Sequence, residues 1–161
     1  MEINIRKDGF LQIENARIVF RNFAGVADKF NREGDRNFAV VIPNQEIADE
    51  LIANGWNVKI RDPREGYEDD GPFMYLSVKV KFNERGPGAY VVSGDSVTKL
   101  NEETIGMLDD IDILSVDMDL RPFDWEINGK TGRSAYLQVI NVIQNVDRFE
   151  AMYRAEGRLN D

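Results

Sequence analysis

The chain has 161 residues, of which 42% are hydrophobic, and its formal net charge is −9 at pH 7. This size fits a single domain with a substantial core, and no apolar run approaches the roughly 18 residues that span a bilayer. Because the chain contains neither cysteine nor histidine, its composition excludes disulfides, zinc sites built on these residues, and Ser-His or Cys-His nucleophiles.

The negative charge is unevenly distributed along the chain. Residues 1–65 hold 10 basic and 11 acidic side chains, a net −1, whereas residues 66–161 hold 10 and 18, a net −8. An acidic chain argues at first against a nucleic-acid partner. The nearly neutral N-terminal part can nevertheless carry a local basic strip, and an acidic remainder would confine DNA to one groove.

The first part of the chain predicts strands and a glycine-bounded loop. In order, these are an edge strand within residues 1–9, a strand at 11–22, a loop at 25–35 and a strand at 36–42. Within the strand at 11–22, Ile18 and Phe20 are expected to share one face.

Residues 43–72 predict an inserted helix and strand. Asn44 is a good N-cap, the stripe that begins at Ile47 is apolar at helical spacing, and Gly55 is placed to end the helix. The alternating residues 56–60 predict a short strand, and a loop follows to residue 72. We expect Trp56 to pack this insertion against the rest of the domain.

The next elements are a third main strand and a short helix. Met74, Leu76 and Val78 alternate with polar residues and continue as one apolar face to Phe82. Asn101 is expected to cap a helix that extends to about Leu108.

Residues 113–146 predict a long β-hairpin. Alternation is regular up to Pro122, where we expect a bend or bulge because the apolar phase changes there. Asn128-Gly129 is a strong signal for the turn. The C-terminal extension, residues 147–161, is expected to contain a short helix or turn between Phe149 and Arg158.

These elements give a mainly β fold. Without the insertion, five strands remain with one short helix between the third and fourth, which is the order of the OB-fold, a five-stranded Greek-key barrel. We therefore expect residues 1–161 to form a single OB-fold domain. Its ligand groove would lie on strands 2 and 3, between the loops that join strands 1–2 and 4–5.

Basic and aromatic residues gather around the expected groove. Proteins that bind single-stranded DNA need both types, because cations follow the phosphates and aromatic rings stack on the bases. The candidates are Phe23, Lys29, Phe30, Arg32 and Arg36 near the first loop, Tyr75, Lys79 and Lys81 on strand 3, and Trp125, Lys130 and Arg133 at the hairpin tip. Taken singly, the same residues also fit a solvated strand face and core aromatics.

Carboxylates on the hairpin offer an alternative function. Asp117 and Asp119 lie on one strand face, with Asp124 and Glu126 further along, and such a set can hold Mg²⁺ for phosphoryl chemistry. The ordinary polar face of an exposed strand is the better explanation, so we expect no catalytic residue, metal or other cofactor. A metal-dependent nuclease remains the enzyme alternative.

The sequence resembles the OB-fold single-stranded DNA-binding proteins of tailed bacteriophages and prophages. The resemblance rests on Arg-Asn-Phe-Ala-Gly at 21–25, Phe-Asn-Arg-Glu-Gly-Asp-Arg-Asn-Phe at 30–38, Gly-Trp-Asn-Val-Lys at 55–59, Tyr-Leu-Ser-Val-Lys-Val at 75–80, Arg-Pro-Phe-Asp-Trp-Glu-Ile-Asn-Gly-Lys-Thr-Gly at 121–132 and Ala-Tyr-Leu at 135–137. The order and spacing of these blocks, which cover most of the chain, carry the likeness.

The resemblance implies a non-enzymatic, sequence-tolerant protein that coats single strands during phage DNA replication and recombination. Its expected location is the cytoplasm of the bacterial host, with no membrane association. Its partners would be single-stranded DNA, phage replication or recombination proteins, and further copies of itself, since such proteins are often oligomeric. Bacterial single-strand binders end in a long acidic tail, and this sequence shows none. A structural phage accessory protein is the third alternative.

Overall fold

The computed structural model describes residues 1–146, so the predicted C-terminal helix and the extension at 147–161 lie outside the described residues. This part of the chain consists mostly of β-strands. The strands are β1 (Glu2–Ile5), β2 (Leu11–Ala16), β3 (Ile18–Asn22), β4 (Arg36–Ile42), β5 (Val58–Arg61), β6 (Phe73–Val80), β7 (Gly88–Ser93), β8 (Ser96–Leu100), β9 (Ile113–Ile127) and β10 (Lys130–Gln144). Helix α1 is Gln45–Ala53, and short 3₁₀ helices span Glu68–Asp70 and Ile105–Asp109. Within residues 1–146, none of the helices is long and apolar enough to span a membrane.

The strands form one sheet whose order is that of the OB-fold. Hydrogen-bonded neighbours follow the path β1-β2-β9-β10-β6-β4-β3, with β5 added beside β6 and the β7–β8 hairpin beside β10. β10 pairs parallel to β6, and the other pairs on this path are antiparallel. Only Arg17 separates β2 from β3 in the chain. The strands β2 and β3, which lie near opposite ends of this path, therefore both belong to the stretch at 11–22 that was predicted as one strand.

The predicted strand at 11–22 is interrupted at two positions. Asn15 (φ 55°) and Phe20 (φ 52°) both have left-handed backbone conformations, and the pairing register shifts around each of them. A left-handed residue breaks the alternation of faces. Ile18 is therefore buried at 8% exposure while Phe20 is 53% exposed, and the prediction that they share one face is wrong.

The hairpin of β9 and β10 forms as predicted, but it has no bulge at Pro122. The register runs without a shift from Ile127 opposite Lys130 to Leu120 opposite Leu137. The two register shifts lie further along β10, between Leu137 and Val139 and between Ile143 and Gln144. Asn128 and Gly129 make the turn with φ of 52° and 78°. Because the alternation continues through Pro122, the apolar residues of the tip lie on the face opposite the core.

The insertion between β4 and β6 also forms as predicted. Asn44 caps α1, because its Oδ1 accepts a hydrogen bond from the Ile47 amide at 2.9 Å. Gly55 follows the helix with φ 93°. Trp56 is 2% exposed and belongs to the core cluster, and β5 pairs antiparallel with β6. The insertion therefore widens the sheet next to strand 3 of the OB order.

The core lies between the inner faces of the strands and is sealed by the second 3₁₀ helix. The predicted apolar face of β6 is buried, and so are Ile105 and Leu108 of that 3₁₀ helix. Asn101 caps the turn before it by accepting the amides of Glu103 and Thr104. β8, which precedes this turn, was not predicted. The largest fully buried side chains include Phe23, Phe38, Leu11, Leu51, Leu76, Leu120 and Ile140.

Candidate nucleic-acid interface

A groove of about 680 Å³ lies on the outer face of β4 and β6. One wall is the loop at 23–35 with Phe30, the floor is formed by Ser77 and Lys79, and the opposite side is Tyr136 of β10. A smaller cavity of about 120 Å³ shares Ser77 and Lys79 with this groove and is bounded by Trp125. The concave surface therefore continues from the first loop to the hairpin tip, as the OB order predicts.

The loop at 23–35 is held together by its own polar side chains. Asn31 Nδ2 lies 2.9–3.0 Å from the carbonyl oxygens of Val26, Arg32 and Asp35, and Asn31 Oδ1 accepts from Asn37 at 2.9 Å. These bonds fix the loop without a hydrophobic centre. The loop can therefore hold Phe30 outside the core, at 92% exposure.

Glycine is required where the two ends of this loop meet. Gly34 donates its amide hydrogen to the Gly25 carbonyl at 2.8 Å. A Cβ on Gly25 would lie 3.0 Å from the Gly34 carbonyl carbon, and the backbone of Gly25 has φ 69°. Both the close approach and the positive φ favour glycine. The narrow base positions the loop beside β4 and directs Phe30 toward the groove.

Tyr136 lines the side of the groove opposite this loop, and it was absent from the predicted contact set. Its ring centroid lies 5.8 Å from Lys79 Nζ, 5.2 Å from Arg121 Cζ and 5.9 Å from the Phe123 ring. On β10, Tyr136 is paired with Lys79 of β6 on one side and with Arg121 of β9 on the other. The sequence contained the signal, since counting back from the Asn128-Gly129 turn places Tyr136 opposite Arg121.

Trp125 lies at the hairpin end of the groove, directly opposite Gly132. Its ring covers Gly132, where a Cβ would overlap atoms of the indole. This is the arrangement in which an aromatic ring packs over a glycine on the neighbouring strand. Because Trp125 is still 36% exposed, part of the ring is accessible. Lys130, at the tip, is exposed.

Arg133 lines the smaller cavity beside Trp125, and its guanidinium is engaged by groups of the protein itself. Its guanidinium binds both carboxylate oxygens of Asp124, at 2.6 and 3.1 Å, and donates to the Asn54 carbonyl. It also lies 5.4 Å from the Trp56 ring. The hydrogen bond lowers the pKa of Asp124 and raises that of Arg133. Arg133 is thus a clamp between the hairpin and the C-terminus of α1.

Two predicted aromatic contacts are largely buried. Phe23 is fully buried and stacks on Phe38 with 4.9 Å between centroids. Its amide is fixed by the Asp109 carboxylate at 2.7 Å. Tyr75 is only 8% exposed, because Phe20 and neighbouring side chains cover its ring. Phe23 therefore serves the core, and Tyr75 supports the surface rather than stacking freely.

The other predicted residues lie on the accessible side of the molecule. Lys29 and Arg32 are exposed in the first loop, with Lys29 Nζ 5.8 Å from the Phe30 ring centroid, and Lys79 and Lys81 are exposed at the end of β6. Arg36 is half-buried and lines the groove while donating to the Phe23 carbonyl.

The groove is locally basic on an acidic protein. Its lining includes Arg36, Lys59, Lys79 and Lys81 but only one carboxylate, Asp35. Within residues 1–146, the ion pairs are Arg6 with Asp8 and Arg133 with Asp124, so none of the four lining cations is paired. A phosphate could therefore bind here without breaking an ion pair.

The carboxylates proposed for the nuclease alternative are not arranged as a metal site. Asp117 Oδ1 accepts the Asn15 amide at 2.8 Å, which gives that carboxylate a structural partner. In the described part of the chain, no group of three or more possible ligands lies close enough to hold a metal ion. No observation on these residues therefore favours the enzyme alternative.

Comparison with known proteins agrees with the geometry. A family model described as "Putative phage ssDNA-binding domain" matches residues 2–160. No curated protein matches the sequence. Among solved structures, the single-stranded DNA-binding protein from bacteriophage Enc34 has a TM-score of 0.55 at 15% identity, covering 93% of each chain. The same phage protein in complex with ssDNA has a TM-score of 0.53 at 16% identity, covering 91% of this chain and 93% of the other. These two structures confirm the predicted fold class.

Proposed function

We propose, because this chain belongs to the family of phage ssDNA-binding domains, that it coats single strands during phage DNA replication and recombination. Binding to single-stranded DNA is the function of the family. The groove geometry supports the rest of the proposal, which concerns how the strand is held, how little its sequence matters and which residues make the contacts.

The observation that carries the proposal is the basic groove with exposed aromatic rings at both ends. Lys79 and Lys81 lie between Phe30 and Trp125 along the continuous concave surface. Cations of this kind neutralise phosphates, and each accessible ring can stack on a base. We assign Lys79, Lys81 and Arg36 to the phosphates.

The remaining contacts extend this assignment to the two ends of the groove. We assign base stacking to Phe30, Trp125 and Tyr136, and further phosphate contacts to Lys29, Arg32 and Lys130. Phe30, at 92% exposure, has most of its ring available to a base.

Stacking on aromatic rings explains tolerance of sequence. Every base presents a π-face, so stacking on Phe30 or Trp125 discriminates little between bases. The phosphate contacts are equally independent of sequence. We therefore expect oligonucleotides of different composition and equal length to bind with similar affinity.

A protein that coats single strands is also expected to have particular partners and a particular location in the cell. Phage replication and recombination proteins that work on the same strand are the expected partners, and neighbouring copies of this chain would meet along it. These processes take place in the cytoplasm of the bacterial host, which is the location we propose.

A fluorescence-anisotropy titration with a labelled oligonucleotide, at about 50 and 200 mM salt, tests the proposal. Each phosphate contact on a single strand contributes about 0.7 to the slope of log K against log salt. Replacing Lys79 and Lys81 together by Met should lower the slope by about 1.4, which reduces the affinity change between the two salts by about sevenfold.

The matched control is the double substitution Lys7→Met and Lys99→Met, which removes two exposed lysines outside the groove. The control should leave the slope unchanged. Equal slopes for both double variants would place the DNA elsewhere. Magnesium-dependent loss of the oligonucleotide would favour the nuclease, and virion association without DNA affinity would favour the accessory protein.

A further inference from the structure

A second aromatic and basic cluster lies beside the groove, on the outer face of β3, β5 and β6. Phe20, Phe73 and Tyr75 meet with centroid separations of 5.5–6.0 Å. The Arg61 guanidinium lies 5.3 Å from the ring centroids of both Phe20 and Tyr75. We call these four residues the Phe20 cluster.

Phe20 occupies a position that stability alone does not favour. Its φ of 52° is strained for a bulky residue, and its side chain is 53% exposed. Strained conformations are retained where the surroundings impose them, and they concentrate at ligand-binding sites. Here the unusual backbone places a large aromatic ring on the outer surface, where it gains little from burial.

The inserted strand β5 adds positive charge to the same face. Lys59 and Arg61 stand directly opposite Tyr75 and Phe73 in the β5–β6 register, so all four side chains share one face of the sheet. Both cations are exposed. Neither forms an ion pair with any carboxylate of residues 1–146.

The Phe20 cluster is continuous with the main groove. Phe20 and Lys59 line that groove together with Lys79 and Lys81. From Lys79 to Phe73 is a distance of roughly 20 Å along β6, at about 3.3 Å per residue. A strand that leaves the groove in this direction would therefore meet further aromatic faces and cations before it reaches solvent.

We propose that the Phe20 cluster is a second stacking site, which binds the continuation of the same DNA strand. The proposal rests on the proposed function of the main groove. A base stacks on Phe20, while Lys59 and Arg61 contact the neighbouring phosphates. The inserted strand thereby lengthens the track on DNA beyond the two strands and two loops of the basic fold. A protein surface or a second copy of this chain would also bury aromatic residues, but the continuity of Phe20 and Lys59 with the main groove favours the DNA strand.

Two labelled oligonucleotides of the same composition, about 6 and about 16 nucleotides long, separate the two sites. The main variant is Arg61→Met, because it changes an exposed cation and spares the core. We expect affinity for the long oligonucleotide to fall and its salt slope to decrease by about 0.7. Binding of the short oligonucleotide should not change. Phe20→Asn, which tolerates the left-handed backbone, should weaken the long complex at least about fivefold and leave its salt slope intact.

Lys79→Met serves as the comparison, because it should weaken both complexes. Equal losses on both oligonucleotides from Arg61→Met would overturn the proposal, since the cluster would then belong to the main groove. No loss on either, together with reduced self-association in sedimentation, would also overturn it and assign the cluster to contacts between copies. If the unsubstituted protein bound neither oligonucleotide, the proposed function itself would fail, which is a distinguishable result.

Discussion

Replacing Arg133 by Met tests whether this residue holds the hairpin tip in place or contacts a DNA phosphate. In the structure the guanidinium donates to both carboxylate oxygens of Asp124 and to the Asn54 carbonyl. Trp125 and Gly132 are the chain neighbours of this pair, so releasing the clamp should let the hairpin tip move relative to α1. We therefore expect Arg133→Met to weaken DNA binding through the position of Trp125.

The size of the effect has an upper limit. One stacked base contributes roughly 1–3 kcal/mol, which corresponds to about 5- to 150-fold in affinity. Misplacing Trp125 should cost less than removing it, so Arg133→Met should be milder than Trp125→Ala. Its salt slope should equal that of the unsubstituted protein. Loss of a phosphate contact would instead reduce the affinity ratio between 50 and 200 mM salt by about 2.6-fold.

The substitution Asp124→Asn distinguishes the two roles of Arg133, because they predict opposite changes in DNA affinity. It removes a negative charge near the groove and frees Arg133, so a phosphate-contact role for Arg133 predicts tighter binding. The clamp predicts weaker binding, because the bidentate pair is lost. Anisotropy titrations of both variants decide the matter, with Arg85→Met as a control that removes an exposed cation outside the groove. Tighter binding by Asp124→Asn would refute the clamp.

Three further predictions concern the hairpin tip. With Trp125→Phe, most DNA-induced fluorescence quenching should vanish while binding weakens modestly. Trp125→Ala should cost roughly 1–3 kcal/mol of binding free energy. Quenching that persists in Trp125→Phe would assign the signal to buried Trp56. Gly132→Ala should shift the fluorescence of Trp125 and weaken DNA binding, because the added Cβ overlaps the ring. The control Gly88→Ala should do neither, because its Cβ would meet ordinary contacts of 3.5 Å or more. Equal emission spectra for the two variants would contradict the position of the ring. Because the pKa of Asp124 lies below its ordinary 3.8, the clamp should persist above pH 3.8 and open as the pH falls through the lowered pKa. The measurement is the emission of Trp125 below pH 3.8, which should change in the unsubstituted protein and not in Asp124→Asn.

Much of the fold could be predicted because its signals are local. Alternation identifies β6 and β9, Asn44 identifies the start of α1, and Asn128-Gly129 identifies the hairpin turn. Each depends on residues a few positions apart, so one sequence suffices to read it. The order of the strands then indicated the OB-fold.

The positions of individual side chains were less predictable. The left-handed backbone at Phe20 separates its side chain from the face of Ile18, and sequence alone does not reveal that conformation. The bond between Arg133 and the Asn54 carbonyl was not predicted, because the two residues are 79 positions apart in the chain. Phe23 was assigned to the groove because a residue at the end of a strand can turn either way. Tertiary contacts decided all three.

Mapping the bound strand by NMR tests the central claim most directly, that DNA lies in the groove between the first loop and the hairpin tip. On titration with a short oligothymidine, amide shifts should concentrate at Phe30, Asn37, Ser77, Lys79 and Tyr136 and on the Trp125 indole. Residues of β7 and β8, which do not line the groove, should barely respond. Shifts confined to β7, β8 or β1, with Lys79 and Tyr136 unaffected, would contradict this account of the interface.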